Sequence, residues 1–154
     1  MAQYFLDTSA LAKRYLPETG SRWVQQLCVT ESISVSALII VEINATLARR
    51  VREGSVAAGE RDVILRRFRR HLRQMTVVDV DLRTLNAAGS LAIQSPSAIP
   101  LRSLDAIHIA SAQSLMPTLT SRGLGPLTFV SADTRLLAAA QWAGVATDNP
   151  EVHP

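Results

Sequence analysis

The sequence predicts an α/β fold, a three-layer α/β/α sandwich whose central sheet is mostly parallel. Short apolar runs typical of strands alternate with longer helical patterns along the 154 residues. This alternation is typical of a parallel sheet that helices cover on both faces. The chain shows no repeat and no linker, and its length suits one domain with a substantial core.

The first half of the chain contains a predicted helical hairpin. Leu38–Arg52 and Val56–Arg73 carry apolar residues at helical spacing, and Gly54-Ser55 between them predicts a short turn. The strands of the whole chain are predicted at Gln3–Leu6, Ile33–Ser36, Thr76–Val80 and Leu127–Ser131.

The second half contains a helix, a loop and a tail. The helix is expected at Ser103–Leu115, and a long loop is expected at Met116–Pro126, which holds two prolines and two glycines. The residues Asp148–Pro154 are expected to form a loose tail. The domain is therefore expected to span residues 1–147.

Arginine dominates the positive charge. Lys13 is the only lysine among 16 basic residues, and the formal net charge is +3. Between Arg49 and Arg73, nine arginines stand against three acids, which gives a local formal charge of +6. This segment is either a solvated helix face or an electrostatic guide for a phosphate backbone.

Three aspartates lie where helices are predicted to begin. Asp7 and Asp133 each follow a predicted strand, and Asp105 lies in the first turn of the helix that begins at Ser103. Each has a structural explanation, because aspartate caps helices and complements the helix dipole. The strand ends before Asp7 and Asp133 also mark the edge at which open α/β sheets bind their ligands.

Glu42 has no comparable explanation. It lies in the apolar run LIIVEI, and its helical neighbours three and four positions away include no cation. A desolvated carboxylate needs a partner, which is either an arginine of another helix or a metal ion. If Glu42 shares a crevice with the three aspartates, the four carboxylates require a compensating cation. Oxygen ligands of this kind suit Mg²⁺, with Mn²⁺ as the alternative, and such an ion can promote water attack on a phosphodiester.

Four segments carry a resemblance to a known family: FLDTSAL, SALIIVEIN, LRSLDAIHIASA and FVSADTRLLAAA. In this order they resemble the acidic motifs of the PIN-domain nucleases, and within that superfamily the VapC-type toxins of prokaryotic toxin–antitoxin pairs. The resemblance assigns metal-binding and catalytic roles to four acids, which are Asp7, Glu42, Asp105 and Asp133. Thr8 and Ser131 match hydroxyl positions that support the metal site.

The resemblance implies a Mg²⁺-dependent endoribonuclease that hydrolyses RNA as the toxin of such a pair. It also implies a small antitoxin protein that covers the crevice, and a homodimer. Two alternatives remain open: a PIN-like RNA-processing nuclease outside a toxin pair, and a catalytically silent RNA-binding domain whose acids are caps and ion pairs. Capping does not explain Glu42, which argues against the silent domain.

Three further features of the sequence bear on function. Receiver and dehalogenase-like folds also begin with a strand that ends in aspartate, but they rely on a late lysine and none follows Lys13. His108, one helical turn after Asp105, is either an additional ligand or a hydrogen-bonded core residue, and its apolar neighbours favour the core. If the arginine-rich helix binds RNA, it does so through phosphates, and the candidate contacts are Arg66, Arg67, Arg69, Arg70 and Arg73.

The sequence favours a cytoplasmic protein that does not enter a membrane. The N-terminus lacks a basic segment followed by an apolar stretch, and no apolar run approaches the roughly 20 residues of a membrane span. Cys28 is the only cysteine and lies between Leu27 and Val29, which is consistent with a reduced, buried thiol.

Overall fold

Five parallel strands form the central layer of the structure, a computed structural model that describes residues 1–153. The elements in chain order are β1 (Gln3–Leu6), α1 (Thr8–Ala12), α2 (Ser21–Thr30), β2 (Ser32–Ser36), α3 (Ile39–Arg52), α4 (Ala58–Leu72), β3 (Thr76–Val78), α5 (Leu82–Gln94), α6 (Ser103–Ser121), β4 (Leu127–Val130), α7 (Thr134–Trp142), β5 (Ala146–Asp148) and a 3₁₀ turn (Pro150–Val152). The strand order is β3-β2-β1-β4-β5, and every neighbouring pair is parallel. The predicted α/β fold is confirmed.

The central strand β1 is buried on both faces. Because alternate strand residues point to opposite sides of a sheet, Leu6 and Phe5 enter two different core clusters. Leu6 packs in the cluster that contains α1 to α4, whereas Phe5 stacks on Phe129 of β4 in the cluster that contains α6 and α7. The continuous apolar run before Asp7 is therefore typical of a strand with helices on both sides.

The predicted hairpin of α3 and α4 is present. Ile43 and Leu47 of α3 pack with Ile64 and Phe68 of α4 in one core cluster. The turn between the helices contains Gly54 with a φ of +74°, a backbone conformation that glycine adopts without steric cost. Four arginines of α4 are exposed: Arg66, Arg67, Arg69 and Arg70.

The loop predicted at Met116–Pro126 is wrong over its first half. Helix α6 continues to Ser121 with Pro117 inside it, although proline removes a helical hydrogen bond. Met116 and Leu119 pack against the core cluster around Phe5, so burial outweighs the local cost of proline.

The loose tail predicted from Asp148 is also wrong for residues 148–153. Asp148 ends β5, a short edge strand that was not predicted, and Pro150 is buried in the 3₁₀ turn that follows. The ring of His153 stacks on Trp23 of α2 at a centroid distance of 4.3 Å. Pro154 lies outside the described residues. Across residues 1–153, no helix combines the length and hydropathy required to cross a bilayer.

Candidate active site

One cavity of about 510 Å³ brings the four predicted acids together. We call it the acid cavity; its lining includes Asp7, Glu42, Asp105 and Asp133 together with the basic residues Lys13, Arg49, Arg50 and Arg102. The sheet explains part of this arrangement. Asp7 follows β1 and Asp133 follows its parallel neighbour β4, with Leu6 paired to Val130 at the last register position. The two aspartates therefore meet at the carboxyl edge of the sheet.

Asp7 is the N-cap of α1 and is only 4% exposed. Its carboxylate accepts the Ala10 N–H at 2.8 Å, the Ser131 hydroxyl at 2.8 Å and the Ser9 hydroxyl at 2.9 Å. Burial raises the pKa of Asp7, against the lowering effects of these hydrogen bonds and of His108. A carboxylate has about four acceptor positions, so three donors leave one for a cation or water. Asp7 can be a cap and a ligand at once.

Two serines connect the start of α1 to the segment after β4. Ser131 donates to Asp7 and accepts the Asp133 N–H at 3.0 Å, which places its hydroxyl between two of the acids. Ser9 donates to Asp7 and accepts the Ala132 N–H at 2.9 Å. The role of Ser9 was not predicted, although its position two residues after Asp7 was a usable signal.

Glu42, in the first turn of α3, finds its partner in a histidine. One of its oxygens, Oε2, accepts both the Thr8 hydroxyl and the Nε2–H of His108, the latter at 2.7 Å. Burial raises the pKa of Glu42, but hydrogen bonds from His108 and Thr8 outweigh it and hold the pKa below the ordinary value. The partner of Glu42 is therefore His108 and not an arginine of another helix. The side chain of Glu42 remains 23% exposed.

Asp105 and Asp133 have opposite electrostatic environments. Burial and the neighbouring charge of Asp133 raise the pKa of Asp105, which accepts no hydrogen bond from any group in residues 1–153. Asp133 caps α7 and accepts the backbone N–H groups of Arg135 and Leu136 at 2.9 and 3.4 Å. Burial raises the pKa of Asp133, but these hydrogen bonds and the charge of Arg135 outweigh burial, so that the pKa lies below its ordinary value. The two carboxylates lie close enough to repel each other.

The chemistry of this donor set fits a hard divalent cation, since like-charged carboxylates share one cavity. Within residues 1–153, however, no three His, Cys, Asp or Glu side chains are placed to ligate a single ion. Mg²⁺ commonly binds one or two carboxylates and completes its shell with water and substrate phosphates. Asp105 and Asp133, whose charges interact across the cavity, are the candidates for such a pair.

The acid cavity also has a basic wall, in which Arg49 and Arg50 of the arginine-rich segment lie beside Lys13 and Arg102. Arg49 lies seven residues after Glu42, which is two helical turns along the same face of α3, so the sequence did contain a signal for this placement. Lys13 is almost fully buried and pairs with Glu151 at 3.0 Å and with Glu18 at 3.4 Å. Glu151 belongs to the C-terminal 3₁₀ turn, and no sequence pattern linked it to Lys13.

The arginines predicted to contact RNA lie elsewhere. Arg66, Arg67, Arg69, Arg70 and Arg73 are all exposed, and none lines the acid cavity. Arg67 contributes to a second open cavity of about 620 Å³ with Arg14 and Arg22. Glu18 lines both cavities, so the two are adjacent.

A sequence comparison over most of the chain identifies its family. The family model of the PIN domain matches residues 4–140. The chain belongs to the PIN-domain family. PIN domains are nucleases, hydrolases that act on nucleic acids, and they typically use divalent metal ions. The family predicted from the four acidic motifs is thus confirmed. No curated protein sequence matches this PIN domain.

Solved structures share the fold over nearly the whole PIN domain. VapBC from Salmonella typhimurium, crystallised with DNA, is 15% identical to this chain and has a TM-score of 0.62. The alignment covers 97% of this chain and 99% of the VapBC chain. FitAcB from Neisseria gonorrhoeae is 17% identical, with coverages of 96% and 98% and a TM-score of 0.64. PAE2754 from Pyrobaculum aerophilum is 21% identical, with coverages of 99% and 86% and a TM-score of 0.62.

Proposed function

We propose that this PIN domain is a Mg²⁺-dependent endoribonuclease and the toxin of a toxin–antitoxin pair. The observation that carries the proposal is the acid cavity, where four carboxylates from the starts of four helices line a single space. The nuclease activity of the family supports hydrolysis of a phosphodiester. The likeness to VapBC and FitAcB supports the toxin role and an antitoxin partner, and the family resemblance suggests that this small partner covers the cavity. The family resemblance also supports a homodimer.

The metal-binding and catalytic roles are proposed for Asp7, Glu42, Asp105 and Asp133. Asp105 and Asp133 would hold the ion directly, and the remaining acceptor position of Asp7 would bind a water of its hydration shell. When bound, Mg²⁺, or Mn²⁺ in its place, supplies a Lewis acid that neutralises charge on the phosphodiester and activates water. Glu42 keeps Oε1 free of hydrogen bonds from residues 1–153 and is the group proposed to orient the attacking water.

The basic wall of the acid cavity would hold the RNA backbone. Arg102 and Arg49 both line the cavity, and Arg49 keeps 60% of its side chain exposed. Guanidinium groups bind phosphate through paired N–H donors. The α4 arginines, which lie outside the cavity, would attract the same backbone from farther along its path.

Metal removal tests this proposal. The purified protein is expected to cleave single-stranded RNA with Mg²⁺, to stop when EDTA is added, and to resume with Mn²⁺. A structured RNA and a DNA strand of the same sequence serve as comparison substrates, and products are resolved on a denaturing gel. Cleavage that persists in EDTA, or an absence of cleavage with both ions, would contradict the proposal.

Salt dependence tests the basic wall. Each phosphate contact on a single strand contributes roughly 0.7 to the slope of log K against log salt. Replacing Arg49 and Arg102 with glutamine should therefore flatten the slope by about 1.4 and weaken the binding of all RNAs to the same extent. Binding is measured by fluorescence anisotropy in EDTA, so that the RNA stays intact.

The matched control removes the same charge from α4. Arg69→Gln combined with Arg70→Gln should change the slope less, because these residues do not line the acid cavity. Glutamine is nearly as good a helix former as arginine, so α4 should stay folded. If the α4 variant changed the salt slope more than the variant of Arg49 and Arg102, the RNA backbone would be bound along α4 and not in the acid cavity.

A further inference from the structure

His108 is a buried titratable side chain beside the acids that the proposed chemistry does not use. It lies on α6, one turn after Asp105, and is 2% exposed. The edge of its ring meets Phe5 of the central strand at a centroid distance of 6.5 Å. It does not line the acid cavity, so it does not contact what binds there.

The proton arrangement of His108 follows from its single hydrogen bond. The Glu42 carboxylate can only accept, so the 2.7 Å contact requires a proton on Nε2 of His108. The other ring nitrogen, Nδ1, is buried and has no hydrogen-bond partner among residues 1–153. In the neutral imidazole, Nδ1 is then an acceptor that nothing satisfies.

This arrangement is poor for packing alone. A buried polar atom without a partner costs folding free energy, and an apolar side chain of similar size would avoid that cost beside Phe5. What histidine provides instead is one donor, which a hydrocarbon cannot supply. That donor meets Glu42 at the oxygen that Thr8 also contacts.

We propose that His108 is a positioning residue that fixes the carboxylate of Glu42. Together with Thr8 it holds Oε2, so that Oε1 is the oxygen left to face the acid cavity. Without His108, Glu42 would rotate among several rotamers and present Oε1 in the productive place for only part of the time. The inference rests on the proposed nuclease function and adds a residue to it that touches neither RNA nor ion.

Two substitutions at position 108 separate positioning from packing. His108→Leu removes the hydrogen bond to Glu42, which costs stability, and the unsatisfied nitrogen, which gains it, so its unfolding temperature should stay near that of the wild type. Its kcat should fall roughly ten- to a hundredfold, as is usual when a group that orients a site carboxylate is lost, with little change in KM. His108→Gln places an amide donor near the position of Nε2 and should restore most of kcat.

Ser111→Ala provides the control on the same helix. Ser111 is fully buried one turn farther along α6 and bonds to Ser36 and to the Ile107 carbonyl, away from the acids. Its kcat should stay at the wild-type value. A His108→Leu variant that loses stability but keeps its kcat would show that His108 only packs. Equal losses in the leucine and glutamine variants would also overturn the proposal.

Failure of the proposed function is recognised separately, because the wild-type protein would then cleave no RNA. In that case, ¹⁵N NMR of the imidazole in the metal-free protein tests the hydrogen bond between His108 and Glu42. A wild-type signal of the Nε2-protonated tautomer that shifts in Glu42→Gln supports the positioning role. A tautomer protonated on Nδ1, or a signal indifferent to Glu42→Gln, overturns it.

Discussion

The Asp105→Asn variant is expected to lose RNA cleavage by at least about a hundredfold, the usual effect of removing one preorganised electrostatic group, and to become slightly more stable at neutral pH. The loss follows from its proposed role as an ion ligand. The gain follows because burial and the charge of Asp133 raise the pKa of Asp105 and no hydrogen bond compensates. Water screens a half-buried pair, so the gain should not exceed about 1 kcal/mol.

The sign of the pH dependence can be worked out. A carboxyl whose pKa is higher in the folded than in the unfolded state binds its proton more tightly when folded. The wild-type protein should therefore lose stability as the pH rises from the ordinary value of 3.8 through the raised pKa. The asparagine variant lacks this loss, so the two proteins should differ at pH 7 and converge near pH 3. Thermal unfolding in EDTA across this range measures the difference.

Asp81→Asn is the control for this experiment. Asp81 caps α5, and hydrogen bonds from Thr84 lower its pKa. The linkage then has the opposite sign, and Asp81→Asn should lose stability at neutral pH and leave cleavage unchanged. An Asp105→Asn protein that still cleaves RNA, or that is less stable than wild type at pH 7, would contradict the electrostatic account of the acid cavity.

Gly20→Ala should destabilise the fold by about 3 kcal/mol. Gly20 has a φ of +83°, which is unfavourable for alanine, and an added Cβ would lie 2.2 Å from the Pro150 carbonyl oxygen. The neighbour is backbone, so the 3₁₀ turn would have to move. That movement would take Glu151 away from buried Lys13 on the wall of the acid cavity. Urea denaturation measures the loss.

Gly144→Ala is a matched control because Gly144 has a φ of +81° and open space at its Cβ position. Gly144→Ala introduces the backbone strain without a steric clash, and it should lower the free energy of unfolding by about 1–2 kcal/mol. The difference between the two variants therefore isolates the contact between Gly20 and Pro150. Equal losses would mean that the turn accommodates the methyl group.

The sequence predicted well where local rules determine the structure. Asp7 and Asp133 were found because strands end before them, and ligands bind at the carboxyl edge of parallel sheets. Glu42 was found because no residue on its own helix compensates its charge. The family resemblance then placed all four acids in one site, and the structure brings them to one cavity.

The contacts that were missed join residues far apart in sequence. His108 reaches Glu42 across 66 positions and Lys13 reaches Glu151 across 138, so neither pair follows from helical or strand spacing. Pro117 suggested a helix end, but packing of its neighbours kept α6 intact. Strand β5 has three residues, too few for a periodic pattern.

The pairing of β1 with β4 has a consequence for the order of synthesis. Asp7 donates its backbone N–H to Val130 and accepts the hydroxyl of Ser131, a residue 124 positions later. A growing chain contains its first acid almost from the start, yet it cannot assemble the cavity until β4 and Asp133 have left the ribosome. Parallel pairing offers no local hairpin as an earlier substitute. The four acids can therefore share one cavity only after the chain has been synthesised past Asp133.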